Sequence, residues 1–207
     1  EEALGRARFD DAQQSEEALV LVQAIVRDAD RLAEITEQYL SFARFPKPVL
    51  APEDPNVLLA SLLDFLEEEH HRAGVTLERA LAPGCPAVTC DQGQIRQALM
   101  NLLRNSREAL VHGGTIRVET RPLVTQVEVV VSDTGPGIPP EELQRIFDPF
   151  FSTKERGTGL GLALTQQIIH EHGGEIRCES ELGKGTRFIL RLRRASPPLP
   201  LPAPTSS

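Results

Sequence analysis

Asp133-Thr-Gly-Pro-Gly137 and, twenty residues after it, Gly157-Thr-Gly-Leu-Gly161 are the two stretches that decide the fold. In the first, a carboxylate at the end of a predicted buried strand can accept a hydrogen bond from the exocyclic amine of adenine. Its two glycines let the backbone turn sharply and approach a ring without interference from a Cβ. The second stretch opens a predicted helix, and the N–H groups exposed at a helix N-terminus bind phosphate. Together the two stretches predict a nucleotide site.

The context of the second stretch excludes two common phosphate motifs. It follows a long loop rather than a strand, unlike the GxGxxG turn of dinucleotide-binding folds. No Gly-Lys-Ser or Gly-Lys-Thr follows it, so it is not a P-loop. Lys154 and Arg156 stand just before it and can meet terminal phosphates as cations. Ordinary solvated loop charges are the alternative for both, and that alternative is stronger for Arg156.

Two asparagines precede both glycine stretches on a predicted helix. Asn101 and Asn105 are one helical turn apart and share a face. A carboxamide oxygen is a hard, neutral ligand suited to Mg²⁺, which keeps phosphate oxygens and waters in its shell. Without the glycine stretches, a solvated helix face is the more ordinary explanation of the pair. With them, the pair predicts the metal side of the nucleotide site.

The composition excludes several classes of function. The 207 residues carry a net charge of −8, which argues against a nucleic-acid-binding surface. The cysteines, Cys85, Cys90 and Cys178, form no CxxC pair, which argues against a disulfide framework or a zinc site and favours the reducing cytoplasm. No apolar run is long enough to span a membrane and no signal peptide opens the chain. Any membrane anchor is therefore expected upstream.

Residues 16–44 form one long predicted helix. Apolar and small side chains recur there at alternating spacings of three and four, which is a heptad pattern. Its members are Leu19, Val22, Val26, Ala29, Ala33, Thr36, Leu40 and Ala43, and the flank of the stripe adds Ile25, Leu32 and Tyr39. A stripe this wide favours a helical hairpin or a dimeric four-helix bundle, with a single helix packed on the next domain as the alternative. Four prolines between residues 46 and 55 then predict a linker.

Beyond the linker, helical and strand patterns alternate and predict an α+β fold. Helices are predicted from an N-cap at Asp54 to about residue 69, after a capping box at Asp91 and Gln94, and over residues 158–172. Strands are predicted over residues 75–81, 87–90, 115–120, 127–132, 175–180 and 186–192. This order predicts a two-layer α/β sandwich whose mixed, mostly antiparallel sheet has helices on one face.

Residues 134–156 have few periodic apolar positions and predict a long loop, which in a compact domain is usually a functional lid. Phe147-Asp-Pro-Phe-Phe151 places aromatic rings in this loop, where they are expected to pin the lid or dock on the helical region. His170 and His172 point in different directions and are expected to favour the end of their helix by charge rather than bind metal. Residues 195–207 are rich in proline and serine and predict a disordered tail.

In order and spacing, these motifs resemble the catalytic domain of bacterial sensor histidine kinases, in the GHKL superfamily of gyrase and the heat-shock chaperone ATPases. Gln-Ala-Leu-Met-Asn-Leu-Leu-Arg-Asn-Ser-Arg-Glu-Ala, residues 97–109, resembles the N box of these kinases. Residues 133–138 resemble the first glycine box, 147–151 the F box, 157–161 the second glycine box and 183–186 the motif that closes the site. The resemblance covers residues 16–194 and implies a Bergerat-type ATP-binding fold preceded by a long dimerisation helix.

The resemblance also implies roles for individual residues. Asn105 is expected to ligate Mg²⁺ with support from Asn101, Asp133 to bind the adenine of ATP, and Lys154 to contact the phosphates. The other expected cofactor-binding positions are Gly135, Gly137, Ile138, Phe147, Gly157, Thr158, Gly159, Leu160, Gly161 and Thr186. Asn101 stands where the superfamily's ATPases carry a glutamate that activates water. Because an amide is not a general base, the resemblance favours phosphoryl transfer to a protein side chain over hydrolysis.

One family element does not occur in residues 1–207. The H box, a His-Glu followed by Arg-Asn-Pro, carries the phosphate acceptor, and residues 1–15 contain no histidine. We therefore expect the acceptor upstream, and expect this chain to bind ATP without phosphorylating itself at the normal site. An anti-sigma-type serine kinase and a non-catalytic, nucleotide-gated dimerisation module are the alternatives.

The expected organisation has three parts. Residues 1–46 form part of a dimerisation and phosphotransfer domain, residues 47–194 the ATP-binding catalytic domain, and residues 195–207 the tail. The implied partners are a second copy of the chain, through the N-terminal helix, and the receiver domain of a response regulator. Nucleic acid is not expected, and the intact protein is expected in the cytoplasm or anchored in the inner membrane through upstream segments.

Overall fold

A computed structural model of the chain describes residues 46–154 and 157–195, together with residues 19–23, 25–27, 29, 33 and 36. The chain divides into two units, Glu1–Phe45 and Pro46–Ser207. In the first unit the described residues are helical, and the apolar side chains of Leu19, Val22 and Val26 are more than half exposed. The remaining positions of the predicted helix over residues 16–44, and the predicted tail from residue 196, lie outside the described residues.

The second unit alternates helices and strands as the sequence predicts. In chain order its elements are β1 (Ala51–Glu53), α1 (Pro55–Arg72), β2 (Val75–Ala80), β3 (Val88–Cys90), α2 (Gln92–Ala109), β4 (Gly114–Pro122), β5 (Gln126–Asp133), α3 (Pro140–Leu143), α4 (Gly161–Glu171), β6 (Glu175–Glu181) and β7 (Gly185–Arg193). Among the described residues, none of the helices is both long and apolar enough to cross a bilayer.

The main sheet has the strand order β2-β4-β5-β7-β6. Strands β2 and β4 run parallel, and the other neighbouring pairs run antiparallel. The prediction of a mixed, mostly antiparallel sheet is therefore confirmed. Outside this sheet, β1 pairs with β3 in an antiparallel ribbon, so part of the predicted linker is a strand.

The two faces of the main sheet have opposite character. On the inner face, Val127, Val129 and Val131 of β5 are buried, as the alternation predicts. The inner face packs against α1 and α2, whose own apolar faces are buried. On the outer face, charged side chains pair across the strands, for example Arg191 Nε with Glu128 Oε2 at 3.2 Å. Among the described residues of this unit, helices pack against the inner face, and salt-bridged side chains lie on the outer face.

Helix N-termini follow the sequence signals closely. The carboxylate of Asp54 accepts hydrogen bonds from the N–H groups of Asn56 at 2.8 Å and Val57 at 3.3 Å, and Pro55 occupies the first turn of α1. At the start of α2, Asp91 Oδ1 accepts from the N–H of Gln94 at 3.1 Å. The reciprocal half of the predicted capping box is wrong, because the side chain of Gln94 turns away from Asp91.

Two further predictions about residues 134–172 need correction. The last helix begins at Gly161 and not at residue 158, because Gly159 has a φ of +69°, which no right-handed helix accommodates. The segment predicted as a long loop contains the short helix α3, whose first turn contains Pro140 and the acidic Glu141 and Glu142. Most of the second glycine stretch is therefore loop that leads into α4.

Candidate functional site

A buried carboxylate lies at the end of β5, next to α2. Asp133 is 7% exposed, and its Oδ1 accepts hydrogen bonds from the N–H groups of Gly135 at 3.0 Å and Thr186 at 3.3 Å. Its Oδ2 accepts from the hydroxyl of Ser106 at 2.9 Å. An ionised carboxylate offers about four lone-pair positions, and these donors use three. Asp133 is therefore held rigidly by its partners while it can still accept a hydrogen bond from a ligand.

The turn after Asp133 requires glycine because other backbone lies against it. Gly137 has a φ of +76°, and a Cβ there would lie 2.2 Å from the carbonyl oxygen of Glu181. Gly185 has a φ of +94°, and a Cβ there would lie 1.9 Å from the carbonyl oxygen of Asp133. Any larger side chain would separate the turn from the β6–β7 hairpin. The glycines thus bring two backbone segments together around the carboxylate.

A serine of β6 ties the start of the lid to the sheet. Ser180 Oγ accepts a hydrogen bond of 2.8 Å from the N–H of Ile138 and donates one of 2.8 Å to the carbonyl of Gly185. The same oxygen lies 3.0 Å from Thr186 Oγ1. Ile138 and Thr186, both predicted site residues, are therefore joined through Ser180, a residue that the sequence analysis missed.

The first asparagine of α2 faces the start of α4. Asn101 Nδ2 donates a hydrogen bond of 3.2 Å to the carbonyl of Gly161 and lies 3.4 Å from Thr165 Oγ1. Thr165 is buried, and its hydroxyl donates to the same Gly161 carbonyl at 2.8 Å. Asn101 thus uses its amide N–H groups to fix the helix that the second glycine stretch leads into.

The second asparagine faces the lid. Lys154 Nζ lies 3.5 Å from Asn105 Oδ1 and 2.5 Å from Glu108 Oε2, and Arg104 Nε donates to Glu108 Oε1 at 2.9 Å. Burial alone would raise the pKa of Glu108, but the hydrogen bonds from Lys154 and then Arg104 outweigh burial and hold this pKa below its usual value. Lys154, which the sequence predicts to contact phosphates, therefore has an ionised carboxylate as its partner.

The second glycine stretch lies against the predicted F box. The N–H of Phe150 donates a hydrogen bond of 3.0 Å to the carbonyl of Gly159, and a Cβ on Gly159 would lie 2.4 Å from the Phe150 carbonyl carbon. Phe150 itself has a φ of +67° and is 62% exposed, while Phe147 is half-buried. Leu160, next to Gly159, is buried. The two motifs thus form one folded segment at the start of α4, which includes Thr158 and Gly157.

The N-terminus of α2 is anchored to the linker and to α4. Asp91 Oδ2 accepts a hydrogen bond of 3.0 Å from the N–H of Val49, and Gln94 Nε2 donates one of 2.9 Å to the carbonyl of Pro46. The N–H of Asp91 donates to His172 Nε2 at 3.0 Å, and His172 Nδ1 lies 2.7 Å from the Ile168 carbonyl. The buried His172 therefore accepts at one nitrogen and donates at the other. These hydrogen bonds are a role of His172 that the sequence analysis did not predict.

The residues fit a magnesium-bound nucleotide. Among the described residues, no three His, Cys, Asp or Glu side chains cluster as a metal site. Asn105 Oδ1 is directed at the ammonium of Lys154, so this oxygen already faces a cation. Mg²⁺ takes few protein ligands when phosphate oxygens and waters complete its shell. A single amide oxygen beside Lys154 is consistent with that mode of binding.

One helix connects the two halves of the site. Asn101 faces Gly161 of the second glycine stretch, and Asn105 faces Lys154 of the lid. Ser106 faces Asp133. Ser106, Ser180 and Glu108 were not predicted. Ser106 was detectable, because it is a polar residue at a position that continues the buried face of Leu99, Leu102 and Leu103.

The family model described as "Histidine kinase-, DNA gyrase B-, and HSP90-like ATPase" matches residues 90–196. The sensor histidine kinase ZraS of Escherichia coli O157:H7 is 34% identical over 176 residues, which cover 85% of this chain and 38% of ZraS. The chain thus spans little more than a third of that curated relative.

Solved structures of histidine kinases also resemble the chain. Full-length ShkA in complex with AMPPNP is 30% identical with a TM-score of 0.75, over 86% of this chain and 39% of ShkA. Histidine kinase ThkA in complex with the response regulator protein TrrA is 29% identical with a TM-score of 0.71, over 83% of this chain and 49% of ThkA.

Proposed function

Because the chain belongs to the family of histidine kinase-, DNA gyrase B- and HSP90-like ATPases, and within it to the sensor histidine kinases, we propose that it is the ATP-binding catalytic portion of a protein histidine kinase. The observation that carries the proposal is the buried carboxylate of Asp133, fixed by three donors and able to accept one more hydrogen bond. A buried acceptor at the end of a strand suits the exocyclic amine of adenine.

ATP would extend from Asp133 towards the lid. Gly135 and Gly137 would let the purine lie against backbone, with Ile138, Phe147 and Thr186 around it. The backbone of residues 157–161 would bind the phosphates, together with the N-terminus of α4. Lys154 would supply a positive charge to the same phosphates. ATP binding also agrees with the AMPPNP bound to ShkA.

Asn105 would hold Mg²⁺, which, when bound, neutralises charge on the phosphate oxygens. Asn101 would position the N-terminus of α4 through its bonds to Gly161 and Thr165. An amide is not a general base, so the site contains no group at this position that activates water. The γ-phosphoryl group would therefore pass to a histidine nitrogen, leaving ADP, and then to a carboxylate of a response regulator.

Two partners follow from this proposal. The receiver domain of a response regulator is supported by the complex of ThkA with TrrA. A second copy of the chain is supported by the exposed apolar side chains of Leu19, Val22 and Val26, which recur at heptad spacing. Because no H box occurs in residues 1–207, the acceptor histidine would lie on a segment upstream of them. Use of ATP would place the catalytic unit in the cytoplasm.

Incubation with Mg²⁺ and γ-labelled ATP tests the proposal, once the same preparation has been shown to bind ADP. A separate dimerisation domain that carries an H box is added as the acceptor. We expect acid-labile label on the added domain and none on this chain. Acid-stable label on the chain would favour a serine kinase, and nucleotide binding without label on either protein would favour a nucleotide-gated dimerisation module. Absence of ADP binding would contradict the proposed function.

A further inference from the structure

Two oxygen atoms on consecutive turns of α2 share one cation. Lys154 Nζ lies 2.5 Å from Glu108 Oε2 and 3.5 Å from Asn105 Oδ1. Glu108 follows Asn105 by three residues, so both side chains project from one face of the helix. The lid thus places a positive charge at the oxygen that the proposed function assigns to the metal.

Asn105 alone would contribute one neutral amide oxygen to a magnesium site. Mg²⁺ is usually bound through one or two carboxylates together with phosphate oxygens. Glu108 and Asn105 both contact the ammonium group of Lys154. Arg104 also donates a hydrogen bond to Glu108, and in this cluster it contacts Glu108 but not Asn105. The pair Asn105 and Glu108 therefore has the ligand chemistry that the cation prefers.

We propose that Glu108 and Asn105 together bind the divalent cation that accompanies the nucleotide, and that Lys154 is the cation that holds these oxygens in its absence. This inference rests on the proposed nucleotide-binding function. With Asn105 and Glu108 holding Mg²⁺, Lys154 would be free to contact the phosphates of the nucleotide. Glu108 then binds the metal directly or through one of its waters.

The charge of Glu108 makes nucleotide binding conditional on the metal. Without Mg²⁺ the carboxylate repels the phosphates, and it holds Lys154 away from them. With Mg²⁺ the same carboxylate attracts the metal–nucleotide complex. A surface ion pair with no role at the nucleotide site would not make nucleotide affinity depend on Mg²⁺ in this way. The side chains of Lys154 and Glu108 are 43% and 31% exposed, and ion pairs this exposed contribute little to stability.

The test compares nucleotide affinity with excess Mg²⁺ and with EDTA, by calorimetric titration of ADP and of ATP. The ratio compared is the nucleotide affinity in excess Mg²⁺ divided by the affinity in EDTA. In Glu108→Gln this ratio should be about three- to tenfold lower than in the wild type, mainly because nucleotide binding in EDTA becomes tighter. Glu108→Asp keeps the carboxylate and should retain most of the ratio. Glu68→Gln is the matched control, because Glu68 also pairs with an arginine four residues away, on α1. Its ratio should equal that of the wild type.

An unchanged ratio in a folded Glu108→Gln variant would overturn the inference, including the case where both affinities fall equally. Should that variant not fold, Lys154→Gln carries the test. Loss of the competing ammonium should raise the ratio, and an unchanged or lower ratio would overturn the inference. If the wild type binds no nucleotide under either condition, the proposed function itself fails. If the wild type binds nucleotide but the variants have the same affinity ratio as the wild type, only this inference fails.

Discussion

Ser106 Oγ donates a hydrogen bond of 2.9 Å to Asp133 Oδ2, across the contact between α2 and β5. Both residues are buried, at 1% and 7% exposure, so water does not compete for this bond. Ser106 follows Asn105 directly in the chain. Helix α2 therefore fixes Asp133, the proposed adenine acceptor, through Ser106 and presents the proposed metal ligand through Asn105.

Replacement of this serine should affect both stability and binding. In Ser106→Ala, Asp133 loses a donor in a buried setting, which should lower the free energy of unfolding by about 1–3 kcal/mol. ADP affinity should fall several-fold because the carboxylate is less firmly oriented. Urea unfolding and calorimetric titration measure the two effects. Ser132→Ala, which removes only the exposed 3.3 Å bond to the Arg117 carbonyl, should change neither, and wild-type behaviour of Ser106→Ala would contradict the assigned contact.

Two glycines in the β6–β7 hairpin allow the effect of backbone strain on stability to be compared with the effect of a steric clash. Gly183 and Gly185 both have a positive φ, at +77° and +94°, but a Cβ on Gly183 would meet nothing within 4 Å. Gly183→Ala should therefore lose only about 1–2 kcal/mol and keep nucleotide binding. Gly185→Ala should lose more stability and also nucleotide binding, because its Cβ would displace the carbonyl of Asp133. Thermal unfolding and ADP titration measure these effects. Equal stability and equal ADP affinity of the two variants would contradict the prediction.

The linker contact at Asp91 should depend on pH. Hydrogen bonds from the N–H of Val49 and then of Gln94 hold the pKa of Asp91 below its ordinary value of about 3.9. A carboxyl whose pKa is lower in the folded state stabilises the fold above the unfolded pKa, and this stabilisation is lost as the pH falls through the folded pKa.

Asp91→Ala should accordingly cost about 0.5–2 kcal/mol at neutral pH. Asp91→Asn should cost less, because asparagine also caps helices well. The difference between wild type and Asp91→Asn should stay constant from neutral pH down to about pH 5 and shrink below about pH 3.9. Chemical unfolding at a series of pH values measures it. A difference that grows on acidification would contradict the assigned sign.

Asn101 should tolerate no carboxylate, although related ATPases carry an acid at this position. Its Nδ2 donates to the carbonyl of Gly161, so Asn101→Asp would place an acceptor against an acceptor. We expect a loss of about 1–3 kcal/mol in stability, weaker ATP binding and no gain in ATP hydrolysis. Thermal unfolding, titration and phosphate release measure these changes. Faster hydrolysis with unchanged stability would show that Asn101 does not position α4.

Much of the fold could be predicted because local signals and burial agree. The alternation of Val127, Val129 and Val131 identified the inner face of β5, and Asp54 with Pro55 identified the start of α1. The glycine stretches were recognisable because their backbone conformations and close approaches exclude other residues, as at Gly137.

The remaining features depend on contacts between distant parts of the chain. Strand β1 is three residues long and depends on its pairing with β3, in which Pro52 lies opposite Thr89. The partner of Lys154 is 46 residues away, so its contact with Glu108 has no local pattern. The acceptor role of His172 depends on Asp91, which is 81 residues away, whereas a histidine near a helix end suggests a charge effect when only the sequence is considered.

Asp133 is the residue proposed to make this chain an adenine-nucleotide-binding protein. Titration of ADP with Mg²⁺ into the wild type and Asp133→Asn tests this most directly. Loss of a hydrogen bond to a charged group should weaken ADP binding about ten- to hundredfold in the variant, with circular dichroism showing that it remains folded. The wild type should bind ADP and discriminate against GDP, which presents a carbonyl where adenine presents its amine. A folded Asp133→Asn variant that binds ADP as tightly as the wild type would contradict the account, as would a wild type that binds neither nucleotide.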